Sequence, residues 1–180
     1  MRRIPAFGAV AAALVLLGAA CAAGAAIEVP KEKMCDFGAY IIDPDPKGAN
    51  VRDAPKGRII RTIPFSANKS AYVRVTGYHV LGSADTWLRV RLDDGTTGWI
   101  YHELVGIWVK NTESDDEATL HRLPDSASPV TGTIFGEGEA TVLGGNGKWA
   151  LVRYTAGDGV QFNGWLSPEK QCARPVQGCP

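Results

Sequence analysis

The sequence predicts an all-β protein, two small tandem barrels behind a signal peptide, and three observations predict it. Beyond its apolar start the chain alternates short β-branched and aromatic runs with turn residues. Three landmarks recur in the same order. Past the N-terminal segment, no stretch holds a 3.6-residue apolar period long enough to support a helix.

In chain order the first element is the leader. Arg2 and Arg3 precede an uncharged apolar run from Ile4 to Ala20, and the small-residue stretch Cys21 to Ala26 follows. That is the layout of a secretory signal peptide, assigned to residues 1–26. The run is short and Ala-rich beside the roughly 20 strongly apolar residues of a membrane span. Ala23-Gly24-Ala25 and Gly24-Ala25-Ala26 both meet the small-x-small rule for cleavage. Leu17-Gly18-Ala19-Ala20-Cys21 offers a competing cut, because it resembles a lipobox with Gly18 in the usual leucine place, and Cys21 would then be lipidated. The expected location is periplasmic or extracellular, or the membrane surface through that anchor alone.

Removing residues 1–26 takes away Arg2 and Arg3 and leaves 17 basic against 19 acidic residues, a net charge of −2. The basic residues are scattered. A nearly neutral chain has no global field to hold polyanions, which argues against nucleic acid and anionic membrane surfaces as partners.

The repeat carries the domain organisation. Asn50-Val51-Arg52-Asp53-Ala54-Pro55 is answered by Thr119-Leu120-His121-Arg122-Leu123-Pro124, Trp87-Leu88-Arg89-Val90-Arg91 by Trp149-Ala150-Leu151-Val152-Arg153, and Gly98-Trp99-Ile100 by Gly164-Trp165-Leu166. Each landmark returns 62 to 69 residues later. Upstream, Tyr40-Ile41-Ile42 is matched by Ile107-Trp108-Val109. The expected units are residues 36–106 and 107–169, with a cysteine-containing tail at 170–180. Within them Tyr72–Thr76 and Thr141–Leu143 read as strands, and Asp93-Asp94-Gly95 and Gly157-Asp158-Gly159 as tight reversals, since Asp starts turns and Gly accepts positive φ. About five short strands in some 60 residues bury a core only if the sheet curls on itself, and a unit so small gains from packing against its twin.

These motifs, in this order, resemble the bacterial SH3-like (SH3b) family, whose signature is an Asn-Val-Arg-x-x-Pro opening, a central Trp-x-x-Val strand and a closing Gly-Trp-Val element. The first copy carries all three, as Asn50-Val51-Arg52 with Pro55, Trp87 with Val90, and Gly98-Trp99-Ile100. The second is worn: Thr119 replaces the asparagine and His121 the arginine. The resemblance spans residues 39–169 and implies small β-barrels that attach proteins to peptidoglycan or its peptide stems. It thus implies a binding module or adaptor for a cell-wall peptide or glycan, with no cofactor. A protein–protein subunit or inhibitor of an envelope complex is the alternative.

Candidate binding residues follow from strand alternation. Leu88, Val90 and Leu92 share one face, which should be core, so Trp87, Arg89 and Arg91 project from the other. In the second copy Ala150, Val152 and Tyr154 point inward, and Trp149, Leu151 and Arg153 outward. A tryptophan beside arginines combines large contact area with planar hydrogen bonding, a surface suited to peptide or glycan; packing at a barrel end or at the junction of the copies is the bland reading. Trp99 and Trp165 adjoin Ile100 and Leu166 and read first as edge-of-core residues, with Trp99 kept as a ligand candidate.

Catalysis and metal binding find little support in the sequence. After cleavage Cys35, Cys172 and Cys179 are left, an odd number that allows at most one internal disulfide. Cys172 and Cys179 could close a short loop, or Cys35 could pin the tail back to the start. A cysteine–histidine hydrolase would need one of them near His79, His102 or His121, and none sits in an active-site motif. The histidines lack paired metal-ligand spacing. The acidic run Glu113–Glu117 lacks the spacing and glycine of a cation loop, and no glycine-rich loop leads from a strand into a helix.

Overall fold

The computed structural model describes residues 31–64, 78–111 and 117–173. Among them the chain is all-β, with thirteen strands and two 3₁₀ turns and no α-helix. No helix among the described residues is long and apolar enough to cross a membrane. The expected strand Tyr72–Thr76, most of the acidic run, and Cys21 and Cys179 lie outside the described residues.

The first half comprises β1 (Lys33–Ile41), β2 (Ala49–Arg52), β3 (Ile59–Ile63), β4 (Tyr78–Ala84), β5 (Trp87–Arg91) and β6 (Thr97–Tyr101). A 3₁₀ turn at His102–Leu104 leads into β7 (Val105–Val109). The second half continues with β8 (Glu117–His121), β9 (Val130–Phe135), β10 (Gly138–Asn146), β11 (Trp149–Thr155) and β12 (Gln161–Leu166). A second 3₁₀ turn at Pro168–Lys170 precedes the short β13 (Gln171–Cys172).

Strand order shows the repeat directly. The first half runs β3-β2-β6-β5-β4-β1 and the second β9-β8-β12-β11-β10-β7, all antiparallel. The three sequence landmarks fall on β2 and β8, β5 and β11, and β6 and β12. Local devices repeat too. Bulges lie between Val51 and Arg52 and between Leu120 and His121, and again at Val80/Gly82 and Val142/Gly144. Both reversals predicted from Asp and Gly form, with Gly95 at φ 83° and Gly159 at φ 85°. In each, an aspartate side chain accepts from the backbone two residues on, Asp94 from Thr96 and Asp158 from Val160, both at 3.0 Å.

Among the described residues the sheet is one open path, with β3 and β9 at its two ends and β13 branching from β7. Bulges bend the strands around the core, as an extra residue on one strand of a pair does. Strand β7 is the joint. Its first residues pair with β1 (Tyr40 opposite Gly106, Ile41 opposite Val105), and its last pair with β13 (Trp108 opposite Cys172, Val109 opposite Gln171). The divide between residues 106 and 107 therefore runs through the middle of a strand. The same backbone bond seals both ends: Ile42 N–H donates to Leu104 and Lys110 N–H to Lys170, each at 3.0 Å.

One hydrophobic core runs through both halves, from Val51, Leu88, Val90 and Ile100 through Val105 and Ile107 to Leu120, Val142, Val152 and Leu166. Polar stitches reinforce the joint. Ser83 Oγ donates to the Gly145 carbonyl at 3.1 Å and accepts from its N–H at 3.2 Å, the Tyr40 hydroxyl donates to Glu139 at 3.1 Å, and Arg153 pairs with Glu103. Gly147 N–H donates to Met34 and its carbonyl accepts from Asp36. Gly145 allows this approach, because a Cβ there would meet Phe37 Cε1 at 2.5 Å and Cys35 Sγ at 2.6 Å.

Cys35 lies inside β1 as a buried free thiol, so the bridge from Cys35 to the tail does not form. Its strand packs against Gly147, which leaves the thiol enclosed. Cys172 is buried and disulfide-bonded.

Candidate functional site

On β5, Leu88 and Val90 are fully buried and Leu92 follows them inward, so Trp87, Arg89 and Arg91 face out. Register places Trp87 opposite Tyr101, Arg89 opposite Trp99 and Arg91 opposite Thr97 on β6, with Arg52 of β2 on the far side of Trp99. Directly opposed residues share a face, so these side chains form one outward strip. Arg52, Trp87, Arg89 and Trp99 are half-buried; Tyr101 and Arg91 are exposed.

The strip is ordered by contacts among its own members. The Trp87 and Tyr101 rings meet edge to face at 6.0 Å, and the Arg52 guanidinium lies 6.0 Å from the centre of the Trp87 ring. Arg52 Nη1 donates to the Gly57 carbonyl at 2.6 Å, which fixes the loop after β2 and the guanidinium together. Arg89 is neutralised by Glu32, its Nε donating at 2.5 Å. Arg52 has no carboxylate partner among the described residues.

The second half builds the counterpart with different chemistry. Trp149, Leu151 and Arg153 face out and are half-buried, with Leu151 opposite Trp165 and Arg153 opposite Asn163. His121, opposite Trp165, takes the place of Arg52 and meets the Trp149 ring edge-on at 5.7 Å. Its Nδ1 donates to the Ser128 carbonyl at 3.0 Å, and its Nε2 hydrogen-bonds the Thr119 hydroxyl at 3.1 Å. Both nitrogens are satisfied internally, and only 7% of the residue is exposed. Arg153 is engaged by the Glu103 carboxylate through both Nη atoms. Where the first half has exposed Tyr101, the second has the buried Ser167.

Charge differs likewise. Residues 31–106 hold 11 basic and 9 acidic side chains, residues 107–173 hold 5 and 9, so the halves carry +2 and −4. The two halves thus differ by six charges in the field they present.

Cys35 and His79 are not members of the strip, whereas the His102 ring meets that of Tyr101 edge-on at 5.0 Å. Burial pushes the Cys35 thiol up against the opposing Ser83 hydrogen bond, so it is a poor thiolate. His79 Nε2 sits 2.7 Å from Asp36 in an exposed pair. His102 borders Glu103 in the joint, and burial holds it below the ordinary imidazole value. Among the described residues no three His, Cys, Asp or Glu side chains cluster in a way that would hold a metal ion.

The structure thus brings Trp87, Arg89, Arg91 and Trp99 together on one face and Trp149 and Arg153 on the matching face of the other half. Arg52, Tyr101 and His121 were not singled out as site residues from sequence. Alternation from Trp99 would have placed Tyr101 on that face, and the shared motif position would have placed Arg52 and His121 there.

No family model matches the chain, and no curated protein does. Among solved structures it is similar to NlpC2 from Trichomonas vaginalis, with 16% identity and a TM-score of 0.31, over 76% of this chain and 47% of that one. It is also similar to NlpC1 from Trichomonas vaginalis, with 14% identity and a TM-score of 0.32, over 76% of this chain and 45% of that one. The chain therefore spans about half the length of these two structures.

Proposed function

We propose that this is an exported, non-catalytic binding module or adaptor that recognises peptidoglycan or another envelope peptide or glycan. The observation that carries the reading is the outward strip of the first half. There an indole, a phenol and a half-buried guanidinium are held in fixed relation on a rigid sheet. Flat aromatic faces receive sugar rings or extended peptide, while the guanidinium supplies directed hydrogen bonds. Building the strip on strands keeps it pre-organised, which lowers the entropic cost of binding. Cys172 is proposed to pair with Cys179, close to it in sequence, which would tie down the tail beside β7.

The test is co-sedimentation of the purified chain with isolated cell-wall sacculi. Wild type should pellet with them, and the double variant Trp87→Ala with Trp149→Ala should stay largely in solution while keeping its far-UV circular dichroism. Equal sedimentation of the two would remove the tryptophan faces from the reading.

A second reading, a protein–protein subunit, is favoured by the far end of the sheet. Strand β9 is an edge without a charged residue, and it exposes Val130 and Phe135, with Leu123 exposed in the loop before it. Unguarded apolar edges of this kind accept strands from other chains. Capture of one stoichiometric envelope protein, abolished by Phe135→Lys and unaccompanied by wall binding, would favour this reading over the first.

A further inference from the structure

We infer that the ligand of the first half carries a carboxylate, that Arg52 engages it while Trp87 receives the adjoining ring or chain, and that the second half has lost this capacity. The inference rests on the outward strip being the binding surface, and it deepens that reading by naming the ligand's chemistry.

Among the described residues Arg52 is a half-buried cation without a carboxylate partner. A guanidinium withdrawn from water is normally matched by a carboxylate, as Arg89 is by Glu32 and Arg153 by Glu103. Here a single neutral acceptor, the Gly57 carbonyl, takes one Nη1 hydrogen, and the Trp87 face flanks the group. The remaining N–H donors are in a fork already oriented by those two contacts, the geometry that grips a carboxylate through two parallel bonds. The net positive charge of this half adds attraction at longer range.

The second half serves as a control within the chain. His121 keeps both structural duties of Arg52, holding the following loop and packing on a tryptophan, but both ring nitrogens are used in doing so. An imidazole has two nitrogens where a guanidinium has five N–H donors, so replacing Arg by His preserves the latch and removes the fork. The nearest arginine on that face, Arg153, is taken by Glu103.

The experiment compares native sacculi with sacculi whose carboxylates have been converted to primary amides, which changes charge and leaves shape almost untouched. Wild type should bind the amidated wall at least about tenfold more weakly, as expected for loss of a charge-assisted pair. Arg52→Gln, whose amide can still donate to Gly57, should bind both walls alike at the lower level. Arg52→Lys, which keeps the charge without the fork, should recover only part of the difference. Intrinsic tryptophan fluorescence of each variant checks that the sheet is intact. Equal binding of wild type to both walls would overturn the carboxylate while leaving the binding surface standing. Absence of any wall binding would overturn the surface and this inference together.

Discussion

Arg52 in the first half and His121 in the second occupy equivalent places. Each follows a bulge at the end of a short strand, each donates to a carbonyl of the following loop, and each lies against the tryptophan that opens the central strand. Around that shared frame the halves diverge. The first keeps a guanidinium with no carboxylate partner among the described residues, an exposed tyrosine and net positive charge; the second has a satisfied imidazole, a buried serine and net negative charge. A repeat can therefore conserve the contacts that hold its fold while giving up the donors that would meet a ligand. The second half shares a core and a strand with the first, and in the proposed reading it serves as a brace.

The sharpest way to break that picture is to attack the shared strand. Ile107 is fully buried at the centre of β7. Ile107→Ala should cost about 2–5 kcal/mol, and urea unfolding followed by fluorescence and circular dichroism should still show one transition for both halves. Two separate transitions would mean that the halves fold independently and that the brace is nominal. Next in size is Ser83→Ala, which removes both bonds to Gly145 across the joint and leaves a buried N–H and C=O without partners. A loss of about 2 kcal/mol is expected from the same titration.

His121→Ala sharpens the comparison from the other side. It should lower stability by about 1 kcal/mol, through the unpaired Ser128 carbonyl, and leave sacculus binding unchanged. The joint should also respond to pH with two opposite signs. Burial holds His102 below its ordinary 6.5, so its stabilising contribution is complete above that value and is lost as pH falls below it. Burial raises Glu139 above 4.5, against the Tyr40 hydrogen bond, so the folded state favours its proton. That contribution is complete below 4.5 and is lost as pH rises through the folded value. Thermal melts across pH 4–7 should show the acid-side loss diminish in His102→Gln.

Much of this architecture was legible in the sequence because it rests on local rules. Alternation from Trp87 to Leu92 assigned the inward and outward faces, and Asp-Gly reversals located both turns after the central strands. The three landmarks marked equivalent strands because each carries a residue with a fixed structural duty. What stayed hidden depends on contacts distant in sequence. Nothing about Ser83 or Gly145 alone announces that they meet, and Cys35 reads as a disulfide candidate until its strand is seen packed against Gly147. The open path of the sheet, with β7 serving both halves, was likewise invisible, since pairing partners are chosen by the shared core. Within the site, the strand residues could be read from alternation, whereas the role of Arg52 required the loop to fold back and offer the Gly57 carbonyl.

The most direct test of the division between halves is to measure sacculus binding of Trp87→Ala and Trp149→Ala as separate single variants. Each variant should first be shown to keep the wild-type circular dichroism. Trp87→Ala should lose most of the binding and Trp149→Ala should keep most of it. Equal losses, or a greater loss from Trp149→Ala, would contradict the assignment of ligand binding to the first half.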